Sequence, residues 1–558
     1  MRTPILALLC CALLLAAPAA AQERDAHPPE PLEFPAAEPP AVGWVPWLAR
    51  LEAEGATIGE IRIRPQNIFD LSDPQENYLL YRAANLIHIV TREGVVRRTL
   101  LFKSGDKLSV RVLEETERLL RSTLQVYSAQ IRPVAYHDGV VDLEVATRDQ
   151  WTLDPSVSFG RTGGTNAGRV SIKEANLFGT GTTIGFSRSS NVDRTSNTFN
   201  ISHPHAFGPF TAASYAYSDT SDGRSWAASV TRPFYALDTR DSWGISADSG
   251  VRNDPVYVSG INTGTYRHEQ SNATASRGWS SGLVDGWTRR HTIGYFFQDN
   301  SYAPIPGQLP TGEVPADLTL AAPYYRFELV EDRFRTGTNY DSIGKAEDFN
   351  LGLNLGAQLG RSLYALGSTR QQWLYSLSVA KGGDIGELGQ LRTSVELSGR
   401  YATGSEQQLS KLSARYFERQ PRNFTFYASF TGSMVRNPDI PNSITLGGDN
   451  DLRGYPLRYQ SGDKSVLVNL EERLYTDWNP FRLIRFGAAV FYDGGRAWGG
   501  TNPNSANPGW LNDVGFGLRF LTDRSSVGNV LHIDVAFPLN REPGIDPVQL
   551  LVYTKVNL

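Results

Sequence analysis

From Trp151 to Leu558, apolar and polar residues alternate with period two in short runs that recur about every 20 residues. Phe349, Leu351, Leu353 and Leu355 alternate with Asn350, Gly352, Asn354 and Gly356. Phe424, Phe426, Ala428 and Phe430 alternate with Thr425, Tyr427, Ser429 and Thr431. Val514, Phe516, Leu518 and Phe520 do the same, as do Leu531, Ile533, Val535 and Phe537. Successive side chains of a strand point to opposite faces, so each run predicts a strand with one apolar face and one polar or glycine face. The runs are about 8–10 residues long, close to what a tilted strand needs to cross lipid. Lipid gives an unpaired amide no partner, so such strands must close on themselves. The predicted fold is an all-β transmembrane antiparallel barrel, and roughly 20 runs qualify as strands.

Residues 57–150 carry a different texture. Ile58, Ile61 and Ile63 predict a strand. Asp73-Pro74 with Glu76 starts a helix, a second helix is predicted from Glu93 to Leu101, and Ser109 caps a third that runs to about Ser122. The apolar face of the third is Val112, Leu113, Thr116, Leu119 and Leu120. Two alternating runs follow, Gln130 to Tyr136 and Val140 to Thr147, joined at His137-Asp138-Gly139, where Asp-Gly signals a hairpin. The unit reads as strand, helices, strand, strand. Before it, His27 to Trp47 holds seven prolines and reads as an extended tether.

The first residues read as an export signal, with Arg2, an apolar stretch from Ile5 to Leu15 and Ala19-Ala20-Ala21 for cleavage. The expected organisation is a leader at 1–21, a proline-rich segment at 22–56, a small α/β domain at 57–150 and the barrel at 151–558. Both cysteines, Cys10 and Cys11, fall in the leader, so the mature chain is expected to form no disulfide. Net charge is -4 with both signs mixed, which gives no basic surface for nucleic acid. No G-x-S-x-G elbow is present, and His203 and His205 lack a third ligand, so neither an enzyme nor a metal or other cofactor is expected. The glycine-rich stretch Gly179 to Gly185 precedes no helix and reads as a turn, not a phosphate cradle.

One loop stands apart. GGDNDLRGYP, Gly447 to Pro456, lies between two predicted strands. Two acids follow at strand positions, Glu471 in VNLEERLY and Asp493 in VFYDGG. In the first strand Leu467, Asn469, Glu471 and Arg473 share a face. In the second Gly487, Ala489, Phe491 and Asp493 lie opposite the apolar Phe486, Ala488, Val490 and Tyr492. Both acids are thus expected in the lumen, where Arg453 can meet them. A guanidinium stays charged and needs such partners away from water.

These residues resemble the BamA/TamA-type outer-membrane barrels, a group that includes two-partner secretion transporters and bacterial surface antigens. Leu452-Arg453-Gly454-Tyr455 resembles that family's loop signature, Phe491-Tyr492-Asp493-Gly494 its acidic strand signature, and Asn469-Leu470-Glu471 its glutamate strand. Thr91 to Asp106, with the surrounding unit, resembles a polypeptide-transport-associated (POTRA) domain. The chain departs from the family in having a single such unit and in ending its last strand on Leu558. The resemblance implies 16 strands as a default against the roughly 20 counted from the runs. It implies a monomer in the bacterial outer membrane with its N-terminal domain in the periplasm. Its partners would be lipid and unfolded polypeptide clients, with periplasmic chaperones as further candidates. Its work would be insertion or translocation of polypeptide without ATP, through a seam between a first strand at Pro155 to Arg161 and a last at Leu550 to Leu558. The alternatives are a passive porin or a surface antigen acting through loops such as Tyr302 to Pro323.

Overall fold

The computed structural model describes residues 44–258, 261–308, 314–439, 444–448, 450–500, 509–526, 530–542 and 544–555. The expected leader, most of the proline-rich segment and the end of the last strand lie outside the described residues.

The N-terminal α/β domain begins with a helix, Trp44–Ala53, which takes in the end of the His27 to Trp47 stretch that composition reads as tether. Pro46 sits in its first turn, where the missing N–H has no helical partner to lose. Leu48 and Leu51 are buried, and Trp44 and Trp47 pack on the same core. Strand Thr57–Gln66 pairs parallel with Val140–Asp149, which pairs antiparallel with Val126–His137. Asp138 and Gly139 turn that hairpin with φ of 49° and 79°, the positive values the Asp-Gly pair predicts. Val141, Leu143 and Val145 of the central strand are fully buried against helix Val110–Arg121 and its neighbours. Asp73 caps a short 3-10 turn, Pro74–Glu76, by accepting from the Gln75 N–H. Helices Leu79–Ile87 and Glu93–Thr99 lie between.

Twenty strands close the barrel, from Leu153–Thr162 to Gln549–Lys555, each antiparallel to its sequence neighbour. The count implied by the family resemblance, 16, is therefore too low. The chain supplies more apolar-outward runs than that default, and each must be paired or leave an open edge in lipid. One run was misplaced: Phe349 and Leu351 belong to a loop between strands Leu318–Glu331 and Asn354–Arg361, and only the end of the run enters the wall. The outer face exposes Val157, Phe159, Val170, Ile172, Ile245, Ile293, Leu412, Val490, Phe516 and Leu518, among others. Soluble monomers rarely present so much contiguous apolar surface, which identifies this face as lipid-facing.

The α/β domain covers one barrel mouth through contacts spread around it. Arg121 makes a two-pronged ion pair with Asp348, both bonds 2.9 Å. Buried Glu76 accepts from Arg482 at 2.7 Å and Arg524 at 2.9 Å. Glu115 receives the Leu237 N–H at 2.8 Å. The Arg92 N–H donates to the carbonyl of Gly179 at 2.9 Å. Gly179 has a φ of +72°, and a Cβ there would stand 2.6 Å from the Val90 carbonyl oxygen, so domain and barrel are in close contact at this turn; of the stretch read as a turn, Thr182 to Gly185 belong to strand Thr182–Ser190.

Candidate functional site

The loop between strands Phe424–Arg436 and Lys464–Tyr475 opens at the mouth opposite the α/β domain and folds back inside the barrel. Leu452 and Tyr455 anchor it. Both are fully buried, in a cluster with Leu446, Tyr459, Ala497, Leu511 and Ile545. The Tyr455 hydroxyl lies 3.0 Å from the carbonyls of Asn512 and Asn540. Burial pushes the Tyr455 phenol up, and burial together with the bond to Glu542 does the same for Tyr459. Gly454 passes so close to strand Leu511–Thr522 that a Cβ would meet the Asp513 Cβ at 2.5 Å, while its N–H donates to Asp513 at 2.9 Å. Only glycine fits there.

Arg453, 3% exposed, points from this anchor into the wall. Its Nε donates to Asp493 Oδ2 at 2.7 Å and its Nη2 to Oδ1 at 2.8 Å. Nη2 also lies 2.9 Å from Glu471 Oε1, and Nη1 3.4 Å from Asp534 Oδ2. The guanidinium rests on the Phe491 ring, 3.4 Å from its centre. Strand alternation explains the convergence: Asn469, Glu471 and Arg473 face inward on Lys464–Tyr475, and Ala489, Phe491 and Asp493 on Ile484–Trp498, while Leu470 and Val490 face out. Asn469 donates 2.8 Å bonds both to Asp493 and to the loop carbonyl of Asp451. The motif residues Leu452, Arg453, Gly454 and Tyr455 and the acids Glu471 and Asp493 are thus brought to one place.

The sequence reading missed Asp513, Asp534, Arg519 and Tyr553, and placed Arg473 on the lumen face without giving it a role. Asp513 receives the loop backbone, and Asp534 ties Arg453 to Arg519 and to the Tyr553 hydroxyl, the latter at 2.9 Å. Arg473 donates to Glu471 at 2.8 Å and sits over Tyr427, 3.8 Å from the ring centre. A signal for Asp534 and Asp513 was present, since both occupy the polar phase of runs whose other phase is apolar.

A second inward loop comes from the α/β side. Its arms, Phe334–Gly337 and Glu347–Asn350, pair, and its tip carries Tyr340 and Ile343 into the lumen. Tyr340 packs on Phe417, and Ile343 on Tyr475, Leu521 and Val530. Asp341 pairs with Arg392 at 2.9 Å and Arg415 at 3.1 Å. Arg473 reaches it, donating to the Tyr340 carbonyl at 3.3 Å. No periodicity marks the tip of this loop, because Tyr340 and Ile343 pack on lumen side chains and not on a sheet face.

The barrel closes where strand Leu153–Thr162 meets Gln549–Lys555. Among the described residues this junction has one registered pair, Val552 with Arg161. On their other sides the same strands are paired along nearly their whole lengths. The Arg453 loop spans this seam. Its Leu457 N–H donates to Gly163 in the first hairpin at 3.1 Å, and its Asp451 pairs with Lys555 of the last strand.

A lipid-jacketed, closed antiparallel barrel with a buried arginine holding a long loop inside it defines the class: a transmembrane β-barrel with an internally seated loop. Among solved structures similar to the chain are CdiB from Escherichia coli, at 13% identity over 90% of this chain and 76% of that one with a TM-score of 0.45; CdiB from Acinetobacter baumannii, at 13% identity over 90% and 74% with a TM-score of 0.41; and BamA from Haemophilus ducreyi lacking POTRA domains 1-3, at 12% identity over 90% and 84% with a TM-score of 0.39. No family model and no curated protein matches the sequence.

Proposed function

We propose that this protein is an outer-membrane barrel that assists insertion of polypeptide into the membrane, or its passage across, without ATP and without chemistry on the client. The observation that carries the reading is the seam. Two wall strands that are well paired on their far sides share, among the described residues, a single registered pair with each other, Val552 with Arg161. An under-paired strand edge offers its amides and carbonyls to an incoming strand, the same property that makes open edges prone to pairing elsewhere. The loop across the seam, seated by Arg453 on Asp493 and Glu471, is the element that would hold it shut or release it. The N-terminal domain faces the other mouth, with its hairpin edge strand Val126–His137 as a second place for an extended client to pair.

The test is a comparison of outer-membrane and secreted proteomes between a deletion strain and its parent. Loss of several unrelated barrel proteins would identify an insertion factor. Loss of one large exported protein would identify a dedicated transporter. Unchanged proteomes would refute the proposal and leave a porin or a loop-bearing surface protein.

A further inference from the structure

Helix Leu79–Ile87 carries an apolar face that nothing among the described residues covers. Leu79 is 84% exposed and Leu86 87%, with Leu80 and Ile87 also exposed. The opposite face is well fixed. Tyr81 is buried against Phe69 and donates its hydroxyl to the Phe481 carbonyl, and Asn85 exchanges hydrogen bonds with the Phe69 backbone. The helix is therefore held with its apolar side chains outward, and Arg82 is its only charged residue.

Its position identifies what meets that face. At one end it is fixed to the turn between strands Lys464–Tyr475 and Ile484–Trp498. At the other, Ile87 and Ile89 share a cleft with Leu153, Leu177 and Phe178 at the base of the first two barrel strands. The seam lies between those two points. Above the cleft the lipid-facing column continues through Pro155 beside Ile172 and Val157 beside Val170. The turn at the first end exposes Trp478 and Phe481, and Trp478 stacks on outward-facing Phe486, as the aromatic rim of a membrane barrel does.

We infer that helix Leu79–Ile87 lies in the membrane interface beneath the seam, its apolar face seated in the adjoining lipid leaflet. The ligand is the bilayer itself, recognised by apolar area in continuity with the barrel's own belt. The inference needs only the membrane barrel and does not depend on the polypeptide-client reading.

The experiment uses the full mature chain in lipid nanodiscs. The only cysteines, Cys10 and Cys11, lie in the expected leader, so Leu86→Cys and Leu80→Cys can each carry a polarity-sensitive fluorophore. Asp138→Cys, in the domain's far hairpin turn, is the aqueous control. At both helix positions the expected result is blue-shifted emission, quenching by nitroxide-bearing lipid labelled about 5–10 Å below the headgroups, and protection from aqueous iodide. At position 138 the pattern should be the reverse. Water-like emission with iodide quenching at positions 80 and 86 would overturn the inference. A blue shift that appears only when unfolded polypeptide is added would also overturn it, in favour of a client-binding face. Neither of those results touches the proteome test of the client reading.

Discussion

Arg453→Ala is the perturbation whose size the structure fixes best. The side chain holds three acids, and they do not lose equally when it goes. Glu471 keeps Arg473 at 2.8 Å, and Asp534 keeps Arg519 and the Tyr553 hydroxyl. Asp493 loses both prongs of its ion pair and keeps the Asn469 amide. The cost is therefore mainly one buried carboxylate stripped of its cation, about 3–5 kcal/mol. Charged to the seated loop alone, that raises the open population by roughly two to three and a half orders of magnitude. Tyr455 and Tyr459 are buried when the loop is seated, so cleavage after them by a chymotrypsin-type protease, identified by fragment mass, reports opening. Cleavage tracks that equilibrium while opening and closing outpace the protease. Asp493→Asn removes the stranded charge, so the double variant should fall short of additivity by about 1–3 kcal/mol. Arg453→Lys should recover little, because an ammonium cannot present the fork that Asp493 and Glu471 share. A cleavage rate for Arg453→Ala within about tenfold of the parent, or strict additivity, would refute the view that this arginine seats the loop.

Gly454→Ala should raise the same cleavage by about ten- to a hundredfold, since its Cβ would collide with that of Asp513; unchanged protection would show that the loop seats otherwise. Cysteines at Arg161 and Val552 should crosslink slowly and incompletely, whereas Val157 and Val170, paired inside the first hairpin, should crosslink efficiently. Equal efficiency at both sites, with function intact in the crosslinked seam, would remove the case for a labile junction. His205 sits in a barrel turn against Thr99 of the α/β domain, and burial, then Arg98 and His203, lower its pKa to about 4. The folded state thus holds it neutral, so its contribution to docking is complete above the ordinary histidine value near 6.5 and is lost as pH falls toward about 4. Hydrogen exchange around residues 204–211 should accelerate across that window in the parent and not in His205→Phe; matching profiles would exclude His205 as the cause.

What was legible in the chain follows from which forces are local. The barrel was legible because a lipid-facing wall writes its period into every strand, as Val514 to Phe520 shows, and the strand total followed the runs more closely than the resemblance. The hairpin at Asp138-Gly139 was legible because two residues set its backbone. Glu471 and Asp493 could be placed on the lumen face by counting in twos. The loop at 332–353 could not be read this way. Tyr340 and Ile343 are buried by residues far away in sequence, and Phe349 and Leu351 mimic a strand phase although both are part of the loop, Phe349 packing on Tyr340 in the lumen. Helix Trp44–Ala53 was hidden by the prolines before it, although Pro46 is harmless in a first turn.

The chemistry of the seat bears on how the loop could work. Replacing a buried ion cluster by apolar residues of similar size is often neutral or stabilising, so Arg453, Glu471, Asp493 and Asp534 are a poor means of simply fixing a loop. They are a good means of fixing it in one place and letting it go. A released Arg453 would face a polar lumen, where water replaces the lost partners, so the intact pair adds little net stability. A mis-seated Arg453 would be buried without them, at high cost. Arg473 extends the same logic across the lumen: it shares Glu471 with Arg453 and bonds the Tyr340 carbonyl of the opposing loop, which Asp348 ties to Arg121 of the α/β domain. Loop, wall and domain are therefore joined by bonds that are each specific and each replaceable by water, and a client that displaced one of them would change the partners available to the next.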